Sequence, residues 1–363
     1  MTKLKIDKYL AFALIFALLN MGAIFAIFGA QKYSDSSGYI NVIHWFQGKN
    51  VKVTPERALR PLGSLIALPF EFLGEGVGLV VQNVIFYLLA TFLIFKITEL
   101  IYHNKKQAFF ASLFFVTATP VIESGLAYLT DTGAWFFYLL SLFLTLIYLK
   151  KRKEWLITIN GFLSGLGVLM KENGGLGVLF FGLMILLSKE FNAKEKVFKI
   201  IHFGIFFIIP IAFLQLFMYQ HFQFTSLDWY SGQMSGGYTE EGAWLTALRY
   251  VGQLFRILGL LWIFFFIGLW RELREKNWER IKIFLALVPS SFSFLLWPTG
   301  GSGRAVFIFA PLGIILATYG CKKIGALPMA LLLLTILVLN YYFCWLNPTI
   351  PFTEIIYTSI FSR

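Results

Sequence analysis

Four stretches of the chain carry residue types that could do chemistry. Residues 33–47 read YSDSSGYINVIHWFQ and contain Asp35, Tyr39 and His44. Residues 124–137, SGLAYLTDTGAWFF, carry Asp131, with Glu123 just before them. Lys171, Glu172 and Asn173 sit between two apolar runs, and WPTGGSGRAVFIFAPLG at 297–313 carries Arg304. A carboxylate fixed beside a hydroxyl can take its proton as a general base. A Lys, or an Arg fork next to backbone N–H groups at a helix start, suits an anion such as a phosphate.

Each stretch also has a plain structural account. Ser34 or Asp35 would cap a short amphipathic helix with Tyr39, Ile43 and Phe46 on one face. Thr130 or Asp131 would cap the next helix in the same way. Lys171 and Glu172 could neutralise each other, or Lys171 could face a polar cavity and bind an anion. Arg304 could snorkel to lipid headgroups. The GxGR pattern is weak by itself. It is not a nucleotide P-loop, because no Gly-Lys-Ser/Thr follows.

The elements that must position these residues follow from composition. Of 363 residues, 58% are hydrophobic and only 14% charged, and the mean hydropathy is +0.72. A soluble domain has nearer a quarter of its residues charged. Apolar runs near membrane-spanning length recur along the chain, so the expected fold class is an all-α polytopic membrane protein. Spans are expected at 9–30, 77–97, 107–123, 132–149, 156–170, 174–188, 200–219, 251–270, 282–297, 305–320 and 325–345, about eleven transmembrane helices. The first reads as a retained anchor rather than a cleaved leader, because its apolar part is long and Phe28 spoils the cleavage site. Cys321 and Cys344 end one span and are too far apart to pair.

The net charge of +12 does not point to nucleic acid. Its placement does the explaining. From a cytoplasmic N-terminus, the cytoplasmic loops hold Lys3, Lys5, Lys8, Lys96, Lys105, Lys106, the 150–153 run, Lys189 to Lys199, Arg271 to Lys282, Lys322 and Lys323, most of the 31 basic residues. The exceptions are Lys32, Lys49, Lys52, Arg57, Arg60, Lys171, Arg249, Arg256, Arg304 and Arg363. Positive charge is disfavoured on the outer side, so most of these should have partners there. The chain reads as a single membrane domain over 1–363. Its first extracytoplasmic loop, 31–76, contains amphipathic helices, the stretch Leu62 to Leu73 being too short to span. A second long loop at 220–250 has a Gly, Ser and aromatic content suited to a lid or binding loop.

The order of these features resembles the GT-C superfamily of integral-membrane glycosyltransferases. It is most similar to the branch of protein O-mannosyltransferases and lipid A aminoarabinose transferases. The residues that carry the resemblance are Asp35 with Tyr39 four residues on and the R-x-x-R-P-L segment at Arg57 to Leu62. LTDTGAWFF, GFLSGLGVLMKENG and the late Arg304 before Pro311-Leu312-Gly313 complete it. The resemblance implies an inverting glycosyltransferase acting on the extracytoplasmic face of the plasma or inner membrane. It would move a sugar from a polyprenyl-phosphate-linked donor to a hydroxyl of a lipid, glycan or protein acceptor, amid membrane lipids and with no nucleic acid. Asp35 would be the catalytic base. Lys171 and Arg304 would bind the phosphate, with Arg57 and Arg60 as further candidates, and Asp131 and Tyr39 would complete the substrate-binding set.

Many relatives have Asp-Glu in the first loop where this chain has Asp-Ser, which leaves one carboxylate there. A divalent metal therefore has weak support, and no metal-ligating residue is assigned. His44 and His221 lack a ligand-like spacing, and the pattern makes no cofactor certain. An O-antigen-type polymerase or ligase would place its diagnostic loop later in the chain. A lipid or glycan transporter or flippase would show two related halves with paired broken helices.

Overall fold

The computed structural model describes residues 7–236, 243–296 and 303–346. Lys3, Lys5, residues 297–302 of the Gly-rich turn and Arg363 lie outside the described residues. All regular structure among the described residues is helical, as the composition predicts. In chain order the helices are α1 Lys8–Phe28, α2 Ser36–Phe46, α3 Pro55–Ala58, α4 Pro61–Ala67, α5 Val77–Tyr102, α6 Lys105–Val116, α7 Thr119–Ser124, α8 Asp131–Lys151 and α9 Trp155–Met170. They continue with α10 Gly177–Leu187, α11 Ala193–Phe222, α12 Ser226–Gly236, α13 Ala243–Leu258, α14 Leu261–Glu275, α15 Trp278–Ser291, α16 Gly303–Val306, α17 Ala310–Gly320 and α18 Ala326–Trp345.

Six helical stretches among the described residues are long and apolar enough to cross a membrane, or seven if one bent pair counts as a span. The expected eleven is not reached, and the differences have local causes. The apolar run 107–123 is two helices. Thr117 bonds back to the Leu113 carbonyl at 2.8 Å, and Pro120 in the first turn of α7 has no N–H to continue the ladder. The run 251–270 is bent by 86° between α13 and α14. Gly259 supplies the left-handed backbone, φ +49°, that turns the corner. The runs 61–73, 155–170 and 172–187 form shorter apolar helices. Within 220–250, α12 and the start of α13 are helical, and residues 237–242 lie outside the described residues.

Burial separates the helices. α8 and the α16–α17 stretch are mostly enclosed, whereas α1, α11 and α18 leave most of their apolar surface uncovered. Apolar surface of that extent belongs against lipid, and the chain is an integral membrane protein. Inside the bundle, small residues bring backbones together. A Cβ on Gly165 would lie 2.3 Å from the Phe207 carbonyl oxygen, so α9 and α11 meet backbone to backbone. Buried polar groups find one another. Asn160 donates to Thr145 at 2.9 Å, and Ser164 donates to Ser141 at 2.9 Å.

The two ends of the bundle are built differently. At the end rich in Lys and Arg, four helix starts are capped in the ordinary way. Asp7 accepts from the Tyr9 N–H, Asn104 from Gln107 and Asn277 from Arg280, and Asn192 with Glu195 forms a reciprocal box at the head of α11. At the opposite end α2 and α8 start beside Asp35 and Asp131, and neither helix has a side-chain cap bond. Their carboxylates are left for tertiary partners.

Candidate active site

Two helix starts and one helix end build the site. α2 is fixed by Tyr39, Val42 and Ile43, all essentially buried, so Asp35 at its head is held in place. Arg57 reaches that carboxylate by crossing α2 over Gly38, where a Cβ would come within 2.7 Å of the Arg57 Cγ. The Arg57 guanidinium donates to Asp35 Oδ1 at 2.6 Å. Asp35 therefore engages an arginine in place of capping its own helix.

Asp131 opens α8, and its side chain is 1% exposed. Three features position it. Asn83 on α5 donates to the carbonyls of Ala127 and Leu129 at 2.7 and 2.8 Å, clamping the turn that leads into α8. Gly63 on α4 leaves room for Thr130, and Gly133 leaves room for Met170. Lys171, just past the end of α9, donates to Asp131 Oδ1 at 2.6 Å.

Arg304 joins the two acids. Its Nη2 lies 3.6 Å from Asp35 Oδ2 and its Nη1 lies 3.6 Å from Asp131 Oδ2. Its guanidinium also sits 5.2 Å from the centre of the Tyr33 ring. Tyr33 is pinned in turn by donating to the Glu123 carbonyl at 2.8 Å. The result is an alternating chain of charge, Arg57–Asp35–Arg304–Asp131–Lys171, built from parts of the sequence up to 269 residues apart.

A second pair adjoins the first. Arg60 Nε donates to Glu172 Oε1 at 2.7 Å, and Arg60 Nη1 donates to the Tyr39 hydroxyl at 3.2 Å. Lys171 and Glu172 thus do not neutralise each other. The extended backbone at Lys171, φ −170°, separates them, and each takes a partner from another element. Burial opposes the charge on Arg60, but Glu172 and Tyr39 beside it hold its pKa above the ordinary arginine value. Burial alone would raise the Tyr39 phenol. Arg60 and Lys171 more than offset it, so Tyr39 is more acidic than a free tyrosine.

All seven residues singled out in the sequence, Asp35, Tyr39, Arg57, Arg60, Asp131, Lys171 and Arg304, meet in this network. Of the basic residues that break the charge bias, Arg57, Arg60, Lys171, Arg256 and Arg304 each face a carboxylate. The histidines lie apart from it. His44 approaches Glu75 at 3.8 Å, and His221 packs its ring near Trp45. No group of three or more His, Cys, Asp or Glu side chains among the described residues could hold a metal.

Sequence reasoning missed Asn83, Gly38 and the Trp229 ring, which lies 5.2 Å from the Arg60 guanidinium. A polar pair, Gln82-Asn83, inside the apolar run of α5 was the available signal, since buried polar groups in a span are costly unless used. Chemically, the site offers a half-buried carboxylate, a guanidinium poised between two acids, and a Lys. The 3.6 Å contacts of Arg304 exceed ordinary hydrogen-bond length. Asp131 Oδ2 and Asn173 Oδ1 are buried without a hydrogen-bond partner among the described residues.

Residues 64–216, which include Asp131 and Lys171, match the dolichyl-phosphate-mannose-protein mannosyltransferase family. No curated protein matches the chain by sequence. In fold, the chain is similar to the oligosaccharyltransferase of Archaeoglobus fulgidus in its apo form, with a TM-score of 0.58 and 13% identity. That match covers 99% of this chain and 56% of the archaeal one, so the chain spans little more than half of that protein's length. Both matches are to GT-C proteins and bear out the resemblance read from the sequence. The structural match shows a shared fold.

Proposed function

We propose that the protein is an inverting glycosyltransferase that uses a polyprenyl-phosphate-linked sugar and works on the extracytoplasmic side of the membrane. The observation that carries this reading is the position of Arg304 between Asp35 and Asp131, 3.6 Å from each. It joins a carboxylate able to take a proton to a cluster of cations able to take a phosphate. The bias of Lys and Arg toward the opposite end of the helices supports the side.

Asp35 is the general base. It removes the proton of an acceptor hydroxyl as that oxygen attacks the anomeric carbon of the donor. The new bond is from acceptor oxygen to sugar carbon. The bond from sugar carbon to phosphate oxygen breaks, and its electron pair leaves with the lipid phosphate. Attack opposite the leaving group inverts the anomeric centre. Negative charge grows on the departing phosphate, where Arg304 and Lys171 stabilise it. Arg304 faces both acids, so its fork can turn from them toward the phosphate. Arg57 orients Asp35, Asp131 holds Lys171, and Tyr39 and Arg60 support the wall between them. The acceptor is a hydroxyl of a lipid, glycan or protein.

The test is to incubate the purified protein with a panel of polyprenyl-phosphate sugars and follow transfer or hydrolysis. At least one donor should react, and Asp35→Asn should lower turnover by about 10²- to 10⁴-fold with the fold intact. Failure of every donor to react, or to raise the melting temperature, would overturn the reading. Continued turnover by Asp35→Asn would remove Asp35 as base.

A further inference from the structure

Beside the ion-pair chain lies a group of residues to which the proposed chemistry assigns no role: Glu172, Trp229 and Tyr230. Arg60 locks Glu172 Oε1 at 2.7 Å and so aims the other oxygen, Oε2. Oε2 makes no hydrogen bond among the described residues, and the Glu172 side chain is 25% exposed. Trp229 and Tyr230, at the head of α12, meet edge to face with ring centres 4.9 Å apart. The Trp229 ring lies over Arg60, and Tyr230 is near enough to Glu172 that burial and that carboxylate together push its phenol up.

This group is fixed rather than loose. Gln215 on α11 donates to Ser226 Oγ at 2.7 Å and accepts from the Ser226 N–H at 2.8 Å. Asp228 accepts from the Thr225 N–H at 2.7 Å, closing the first turn of α12. Three side chains, Arg60, Tyr39 and Arg57, connect the group to Asp35. The Tyr39 hydroxyl is 3.2 Å from Arg60, the Tyr39 ring centre is 5.6 Å from the Arg57 guanidinium, and Arg57 is 2.6 Å from Asp35.

The chemistry of such a group selects its ligand. A phosphate would meet the Glu172 carboxylate and be repelled. A wholly apolar chain would cover Oε2 and leave it without a hydrogen bond, which costs free energy. A cation is not demanded, because Arg60 already balances Glu172. A ligand with hydroxyl donors on its edge and an apolar C–H face satisfies both the free carboxylate oxygen and the indole.

We propose that Glu172 and Trp229, with Tyr230 beside them, form a carbohydrate-binding subsite linked to Asp35 through Arg60, Tyr39 and Arg57, in which Glu172 Oε2 accepts from ring hydroxyls and Trp229 packs on the ring face. The subsite rests on the glycosyltransferase reading above. The ring comes from the donor sugar or from a glycan acceptor, and kinetics separates the two.

The experiment uses the full chain in lipid nanodiscs, a reacting donor from the panel, and the variants Trp229→Ala, Trp229→Phe and Glu172→Gln. Trp229→Ala and Glu172→Gln should raise one KM by about tenfold, the loss of one ring contact. Inhibition by sugar-free polyprenyl phosphate should stay as in the wild type, and Trp229→Phe should recover most of the loss. A rise in donor KM assigns the donor sugar, and a rise in acceptor KM assigns a glycan acceptor. If neither KM moves, or if sugar-free polyprenyl phosphate weakens equally, the subsite is overturned. If the wild type turns over no donor, the proposed function fails first. The subsite is then judged by the melting-temperature shift with methyl glycosides. A shift lost in Trp229→Ala upholds it, and no shift in the wild type overturns it.

Discussion

Lys171 follows the last turn of α9, Asp131 opens α8, and their charges meet at 2.6 Å with the carboxylate almost wholly enclosed. Taking one member of such a pair away strands the other in a medium that solvates it poorly. That typically costs about 3–5 kcal/mol. Asp131→Asn should therefore lower the melting temperature in detergent by many degrees, the more so because Arg304 loses a partner too. The double variant Asp131→Leu, Lys171→Met should recover part of the loss. An Asp131→Asn protein that melts with the wild type would show that the pair is not load-sharing in the fold.

Arg304 uses the two arms of its fork on two different acids, 3.6 Å away in each case. Lysine keeps the charge but offers a single point of contact and cannot span both. If Arg304 transfers from the acids to the leaving phosphate, Arg304→Lys should fold normally yet turn over about 10²–10³-fold more slowly, the usual effect of removing one donor from a developing anion. Steady-state rates with a saturating donor, beside a melting curve, check it. Comparable rates in Arg304→Lys would leave charge alone as its contribution.

Much of this arrangement was legible in the chain, and the parts that were not share a cause. Composition and the bias of basic loops fix an all-helical membrane fold. Four of the residues that break the bias, Arg57, Arg60, Lys171 and Arg304, belong to the site network. What a sequence hides is who pairs with whom. Lys171 and Glu172 are neighbours in the chain, yet their partners are Asp131 and Arg60. The pattern around Asp35 is that of a helix cap, but tertiary partners take the carboxylate away from its own helix. The 86° bend between α13 and α14 is hidden by apolar residues on both sides of Gly259. The indole N–H of Trp262, donating to the Leu254 carbonyl at 3.1 Å, ties the bend together across it.

Asn83 is a positioning residue without charge. It spends both amide protons on the Ala127 and Leu129 carbonyls, 2.7 and 2.8 Å away, in the turn that delivers Asp131. In a membrane interior a lost donor is not replaced by water. Asn83→Ala takes its donor from the buried Leu129 carbonyl, at about 1–3 kcal/mol, while the Ala127 carbonyl keeps the Leu129 N–H at 2.8 Å. It should also loosen Asp131, so turnover should fall further than stability explains. The check is activity measured well below the melting temperature of the variant. Full activity there would confine Asn83 to stability.

Close helix packing is also found away from the site, where α14 crosses α17. A Cβ on Gly268 would sit 1.9 Å from the Leu316 carbonyl oxygen, and one on Gly320 would sit 1.9 Å from that of Phe264. Both obstacles are backbone, which cannot rotate aside, so alanine must push the helices apart. Gly22 on α1 is the contrast, with nothing within 4 Å of its added Cβ. Alanine is better than glycine inside a helix by about 1 kcal/mol, so Gly22→Ala should be neutral or stabilising. Gly268→Ala and Gly320→Ala should each lose about 1–3 kcal/mol or more from overpacking. Melting curves of the three variants under one detergent condition decide it. If Gly268→Ala melts with Gly22→Ala, the two helices do not approach as closely as their glycines imply.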